Sequence, residues 1–198
     1  MGLGLTGRLR AYRLFWSVAV GILVLDQATK AWVAAAIPFG TYDAGRGPGG
    51  ASPVVVIPDF FQLVHIGNEG AAWGILSGYR FLLVLVAVVA LAAIYFYRGS
   101  LELKRTPMQA CFGLIVGGIL GNLLDRLLYG HVVDFLDVRL PAIPFLGFDS
   151  YRWPAFNVAD SGISCGVVAY IVLSFFDSGG ARNRSGGKSA EASDGADS

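Results

Sequence analysis

Four apolar runs, at about 12–36, 79–97, 107–128 and 154–176, each approach the roughly 20 residues a helix needs to cross the ~30 Å hydrocarbon core of a bilayer. The second is the plainest: from Phe81 to Tyr97 it reads FLLVLVAVVALAAIYFY, with no charged residue. In lipid, every backbone polar group must be satisfied within the segment, so runs of this kind become helices. Only 15% of the 198 residues are charged, against about 25% in a soluble domain, and the mean hydropathy is +0.59. The expected fold class is an all-α polytopic membrane protein, with four transmembrane helices and a small extracytoplasmic β element. A net charge of +1 leaves no electrostatic footprint for nucleic acid.

Basic residues orient the spans through the positive-inside rule. Arg8, Arg10 and Arg13 precede the first segment, Arg98, Lys104 and Arg105 join the second to the third, and Arg182, Arg184 and Lys188 follow the fourth. The remaining loops hold Arg46, Arg139 and Arg152. Both termini are therefore expected in the cytoplasm, with extracytoplasmic loops at about 37–78 and 129–153. Ala34-Ala35-Ala36 after a basic, apolar start imitates a signal peptide, but Asp26 and Lys30 interrupt the part that should be most apolar, so no cleavage is expected. In the first loop, 40–52 is Gly-rich and reads as flexible, and Val54–Ile57 and 60–66 read as short strands about a Pro58-Asp59 turn. This loop is a candidate lid, with a hinge at 45–50 and Trp73 as an interfacial anchor. The tail 177–198 is rich in Ser, Gly, Ala and charge and is expected to be disordered and cytoplasmic.

Ionisable groups at membrane depth are costly and mark function by default. Asp26 and Lys30 lie four apart, on one helix face, and are read as a structural ion pair pinning the first segment to its neighbours. Asn122, Asp125 and Arg126 share a face of the third segment, where Arg126 could hold a carbonyl or a phosphate through its planar set of donors. Gly113, Gly117 and Gly121, and then Gly162 and Gly166, form small faces expected to bring the third and fourth segments together. With the orientation above, Asp134 follows the outer end of the third segment, and Asn157 and Asp160 lie at the outer start of the fourth. Two carboxyls at neighbouring segment ends cannot both ionise cheaply. They share a proton, so one can activate water while the other polarises a carbonyl and protonates a leaving amine. Asp134 and Asp160 are the expected pair, with Asp125 as rival partner. Asp137 and Asp149 are read as ordinary loop residues. Cys111 and Cys165 lie in apolar runs without metal spacing and are read as buried thiols, and His65 with His131 are too few for an evident zinc site.

These residues resemble the lipoprotein signal peptidases, or signal peptidase II. The likeness lies in Asp26-Gln27-x-x-Lys30, Asn68-x-Gly70-Ala71-Ala72-Trp73, Gly121-Asn122-x-x-Asp125-Arg126 with Val132-Val133-Asp134-Phe135, and Phe156-Asn157-x-Ala159-Asp160, in order over about residues 26–160. The resemblance implies residues 1–176 as a single integral-membrane peptidase domain in the bacterial inner membrane, multi-pass, with its active site at the extracytoplasmic face. Its implied partners are membrane lipids and a prolipoprotein already diacylglyceryl-modified on cysteine, cut just before that cysteine. By motif, Asp134 and Asp160 would be catalytic, Asn68, Asn122, Arg126 and Asn157 would bind or orient substrate, and Asp26, Lys30 and Asp125 would support the site. No metal or cofactor is implied. The sequence departs from the family pattern at Gly67, where many relatives carry a polar or basic residue, and in a longer stretch at 136–154, which contains Pro141, Pro144 and Gly147. The competing reading is a small proton-coupled transporter or channel subunit that uses Asp26, Lys30, Asp125 and Asp160 as a relay. Transporters place such groups near the midplane, whereas here they gather toward one face.

Overall fold

A computed structural model describes residues 11–43, 45–71, 74–142 and 149–194, with side chains through Phe176. Arg8, Arg10, Trp73, Pro144 and Gly147, and the side chains of Arg182, Arg184 and Lys188, lie outside this description. The chain order is α1 (Arg13–Ala36), β1 (Val54–Ile57), β2 (Phe61–Asn68), α2 (Arg80–Phe96), α3 (Thr106–Leu128), β3 (Val132–Leu140), β4 (Tyr151–Arg152) and α4 (Val158–Asp194).

Among the described residues, three helices are long and apolar enough to cross a membrane: Arg13–Ala36, Thr106–Leu128 and Val158–Phe176. The fourth expected span, α2, has 17 residues, which puts it at the lower end of crossing length, about 17–25 residues. None of its residues is buried, and Phe81 and Phe96 are 76% and 74% exposed. A helix apolar on all sides whose surface the protein leaves uncovered suits contact with lipid.

α3 lies between α1 and α4, and its glycines set how close the helices come. A methyl group at Gly113 would lie 2.9 Å from the Phe15 carbonyl oxygen, and one at Gly117 would lie 2.5 Å from that of Ala19. The Gly113, Gly117 and Gly121 face therefore packs mainly on α1, where the fourth segment was expected, although a methyl at Gly121 would also lie 3.2 Å from the Ala159 Cβ of α4. α3 and α4 meet, as expected, through the fourth segment's own glycines: a methyl at Gly166 would lie 2.6 Å from the Cys111 carbonyl oxygen, and one at Gly162 would lie 3.2 Å from that of Leu114. They also meet through Gly118, where a methyl would strike the Ala159 carbonyl. At the far end of the bundle, Phe15, Ala19, Met108, Phe112, Ile115 and Val116 form a buried cluster. There the buried Gln109 accepts the Phe15 N–H (3.3 Å) and donates to the Ala11 carbonyl (2.8 Å). It thus satisfies one of the N–H groups that every helix start leaves unpaired.

The strands form one antiparallel sheet in the order β1-β2-β3-β4. The β1–β2 turn falls at Pro58-Asp59 as the sequence predicts, with Asp59 at φ 58°. Residues 129–153, read as a loop, instead carry β3 and β4. β3 pairs along β2 with Ile66 opposite Asp134 and Asn68 opposite Val132. The fourth apolar run also begins later than expected. Phe156 stays extended, bridging Leu136 through N–H to carbonyl bonds of 3.0 and 2.8 Å, and the helix starts at Val158. Beyond Phe176 the backbone continues as helix to Asp194, where the composition reads as disordered. Extending an existing helix needs no new nucleation.

Candidate active site

The start of α4 is built by its own side chains. Asn157 caps the helix, its Oδ1 accepting the Asp160 N–H at 2.9 Å, while Asp160 Oδ2 accepts the Asn157 N–H at 3.3 Å. This is a reciprocal capping box, with an aspartate at the third helical position. The N–H between them, on Ala159, donates to Asp26 Oδ1 of α1 at 2.9 Å. The carboxylate of Asp26 thus sits against the positive end of the α4 dipole and ties the two helices together.

Behind this start lies a buried ionic cluster. Lys30 Nζ spends its three donors on Asp26 (2.8 Å), Asp125 (2.8 Å) and the Asn122 Oδ1 (3.0 Å). Gln27 Nε2 bridges the same carboxylates, at 3.1 Å to Asp26 and 2.9 Å to Asp125. Asp125 Oδ2 also accepts the Val133 N–H at 3.1 Å, which fixes the residue before Asp134. The i, i+4 pair expected of Asp26 and Lys30 is present. Asp125, the rival carboxyl, is fully engaged here and does not line the cavity that holds Asp160. Gln27 had no assigned role in the sequence reading, and its place in the Asp26-Gln27-x-x-Lys30 block was the available signal.

Asp134, 1% exposed, projects from β3. Asn157 Nδ2 donates to its Oδ1 at 2.8 Å, and Asn68 Nδ2, from the end of β2, donates to its Oδ2 at 2.9 Å. Asn68 is itself held by the Gly70 N–H on its Oδ1 (2.9 Å). Asp160 Oδ1 accepts the Asn122 Nδ2 at 2.7 Å, and Asn122 Oδ1 accepts from Asn157 at 3.2 Å. Asn157 therefore touches both carboxyls, and Asn122 joins Asp160 to Lys30. Burial, and next the nearby Asp160 charge, push the Asp134 carboxyl up to about 7, partly offset by the Asn68 and Asn157 hydrogen bonds and by Lys30.

Asp134, Asp160, Asn68, Asn122 and Arg126 line one cavity of about 580 Å³. Trp153, Pro154, Ala155 and Phe156 form another stretch of its wall, and Ser161, Ser164 and Cys165 of α4 line it as well. Cys165, expected buried, is exposed, whereas Cys111 is buried. Arg126 reaches from α3 to the Gly70 carbonyl (2.7 Å) and the Asn122 carbonyl (3.4 Å), and its buried Nε finds no partner among the described residues. No group of three or more metal-ligating side chains occurs among the described residues.

Sequence reasoning missed one further cluster. Asp137, taken as an ordinary loop residue, is 0% exposed and lies on the face of β3 opposite Asp134. It is gripped by Arg152 through Nε to Oδ1 (2.8 Å) and Nη2 to Oδ2 (2.7 Å), and by Gln62 (2.6 Å).

Residues 18–176 match the family model described as signal peptidase (SPase) II. The chain is similar to the lipoprotein signal peptidase of Tolumonas auensis, with 39% identity over 83% of this chain and 90% of that one. That of Staphylococcus carnosus is 35% identical over 81% of this chain and 89% of its own. A solved bacterial membrane enzyme superposes with a TM-score of 0.68 at 32% identity, covering 83% of this chain and 88% of that one.

Proposed function

We propose that this chain, which belongs to the signal peptidase II family, removes signal peptides from prolipoproteins as an aspartic peptidase whose working carboxyls are Asp134 and Asp160. The observation that carries this assignment is their common cavity, with Asn157 bonded to both and Asn68, Asn122 and Arg126 around them. The transporter reading has no support among the relatives. All four helices span the membrane, with α2 as a minimal, lipid-exposed crossing and both termini in the cytoplasm. The basic residues support this orientation, which puts the cavity at the extracytoplasmic face, where a lipid-anchored substrate meets water.

Catalysis needs one proton between the two carboxyls. Below about pH 7 Asp134 holds it, leaving Asp160 to take a proton from the attacking water. The Asp134 O–H polarises the scissile carbonyl as the water oxygen bonds to its carbon. The proton gained by Asp160 then passes to the leaving nitrogen as the C–N bond breaks. This releases a new carboxyl terminus on the signal peptide and a free amine on the lipidated cysteine. Arg126, whose Nε has no partner among the described residues, and Asn68 bind the substrate backbone. Asn122 and Asn157 orient the carboxyls, and Lys30 with Asp26 and Asp125 holds Asn122 and the starts of β3 and α4 in place.

Purified protein mixed with a diacylglyceryl-modified prolipoprotein should yield two products, with mass spectrometry placing the cut immediately before the modified cysteine. The unmodified precursor should be cut at least tenfold more slowly, a difference of about 1.4 kcal/mol in transition-state binding. Equal cleavage of both forms would sink the lipidated-substrate assignment.

A further inference from the structure

The wall of the dyad's cavity at residues 153–156 has little helix or sheet of its own. It hangs on β3 through the Trp153 N–H to Val138 carbonyl bond (2.9 Å) and the Phe156–Leu136 bridge. The long stretch that departs from the family pattern leaves and re-enters the sheet just before this wall, where Leu140 pairs with Tyr151 and Arg139 with Arg152. At that neck Arg152 commits four N–H donors. It grips Asp137 bidentately, reaches Asp43 Oδ1 at 2.7 Å and the Tyr42 carbonyl at 2.9 Å, and lays its guanidinium 3.6 Å from the centre of the Tyr42 ring. Gln62 of β2 closes the cluster on Asp137. β2, β3, the neck and the loop after α1 are thus fastened at one point. That point lies three residues along β3 from Asp134 and one residue before Trp153.

We propose that Arg152 is a positioning residue for the peptidase reaction: clamped on Asp137 and Tyr42, it fixes the 153–156 wall at the spacing from Asp134 that seats a substrate peptide against the dyad. The inference rests on the Asp134–Asp160 reading and adds to it a residue that touches neither carboxyl. Arg152 holds the wall and not the dyad, because Asp137 and Asp134 point to opposite faces of β3 and the dyad has its own supports in Asn68, Asn157 and Asn122. Loss of the clamp should therefore weaken substrate binding and spare the chemical step. Lysine cannot replace it, since an ammonium offers neither the bidentate fork nor the planar face over Tyr42.

The test is the kinetics of the full chain in detergent on a diacylglyceryl-modified prolipoprotein, for wild type, Arg152→Lys and Tyr42→Leu. Arg152→Lys should raise KM roughly five- to tenfold, with kcat within about twofold and its pH profile unmoved. Tyr42→Leu, which leaves the ion pair intact, should raise KM by about two- to threefold. A wild-type KM in folded Arg152→Lys overturns the proposal, as does a kcat that falls with a displaced pH profile, since the clamp would then be propping the dyad itself. If Arg152→Lys does not fold, Tyr42→Leu decides: a raised KM supports the clamp and an unchanged one overturns it. No cleavage by wild type overturns the peptidase reading and this inference with it. Cleavage with unchanged KM in both variants overturns the inference alone.

Discussion

Asp134→Asn should lower kcat by about a thousandfold or more while leaving the protein folded, and Asp160→Asn should do the same. A positioned acid–base group contributes about 10² to 10⁴ in rate, and an amide can neither carry the shared proton nor take one from water. Folding survives for separate reasons at each position. Asp134 accepts hydrogen bonds from Asn157 and Asn68, so an amide keeps one acceptor and loses the other bond, at a net cost of about 1 kcal/mol. Against that, the folded protein holds the Asp134 proton more tightly than the unfolded chain does. This carboxyl's contribution to stability is therefore full below about pH 4 and is lost as pH rises through about 7. An uncharged side chain escapes that loss. At Asp160 the cap geometry is retained, because an asparagine Oδ1 can still accept the Asn157 N–H. Single-turnover cleavage followed beside thermal unfolding in detergent separates the outcomes. Wild-type rates in either folded variant would remove that carboxyl from the mechanism.

Lys30→Met should be the most damaging single change to stability, by about 3–5 kcal/mol, the cost of removing one member of a buried ionic group. The ammonium lies between Asp26 and Asp125, both buried, and donates to Asn122 as well. Methionine fills similar space but leaves two carboxylates facing each other, and both hold backbone N–H groups of other elements: Ala159 of α4 and Val133 of β3. The damage should therefore show as loosening of the α4 start and the β2–β3 ladder together. Hydrogen exchange at those amides measures it. Adding Asp125→Asn to Lys30→Met should recover part of the loss by removing one of the facing charges. A Lys30→Met protein with wild-type unfolding would show that the cluster is solvated and not structural. The same variant should carry the Asp134 proton to higher pH, since Lys30 is among the groups that pull it down.

How much of this was written in the sequence depends on range. The membrane helices were legible because the bilayer imposes a length and a composition on each run by itself, and three of the four runs have that length here. The Asp26–Lys30 pair was legible because a spacing of four puts both on one helix face. The Asp134 and Asp160 assignment came from two segment ends and was sharpened by the family blocks. What was missed lies between distant segments. β3 was hidden because Asp134 and Asp137 interrupt its apolar alternation, each being buried on its own face by partners far along the chain. The Arg152 clamp unites residues 42, 43, 62, 137 and 152, and no local pattern signals such a set. Gly162 and Gly166 meet α3 as expected, but the Gly113, Gly117 and Gly121 face was given the wrong main neighbour. Spacing along one helix says that a partner comes close; it does not say which one, and here Phe15 and Ala19 of α1 present their carbonyls to that face.

Two carboxyls sharing one proton are the centre of the mechanism, and the pH dependence of kcat/KM on a lipidated prolipoprotein, which reports the free enzyme, tests that most directly. The predicted profile is a bell. It falls on the alkaline side with a midpoint near the value of about 7 at which Asp134 loses its proton, and falls again in acid once both carboxyls are protonated. A kcat/KM that stays level from about pH 5 to 9 would contradict a shared proton and, with it, the assignment of Asp134 and Asp160 as the reacting pair.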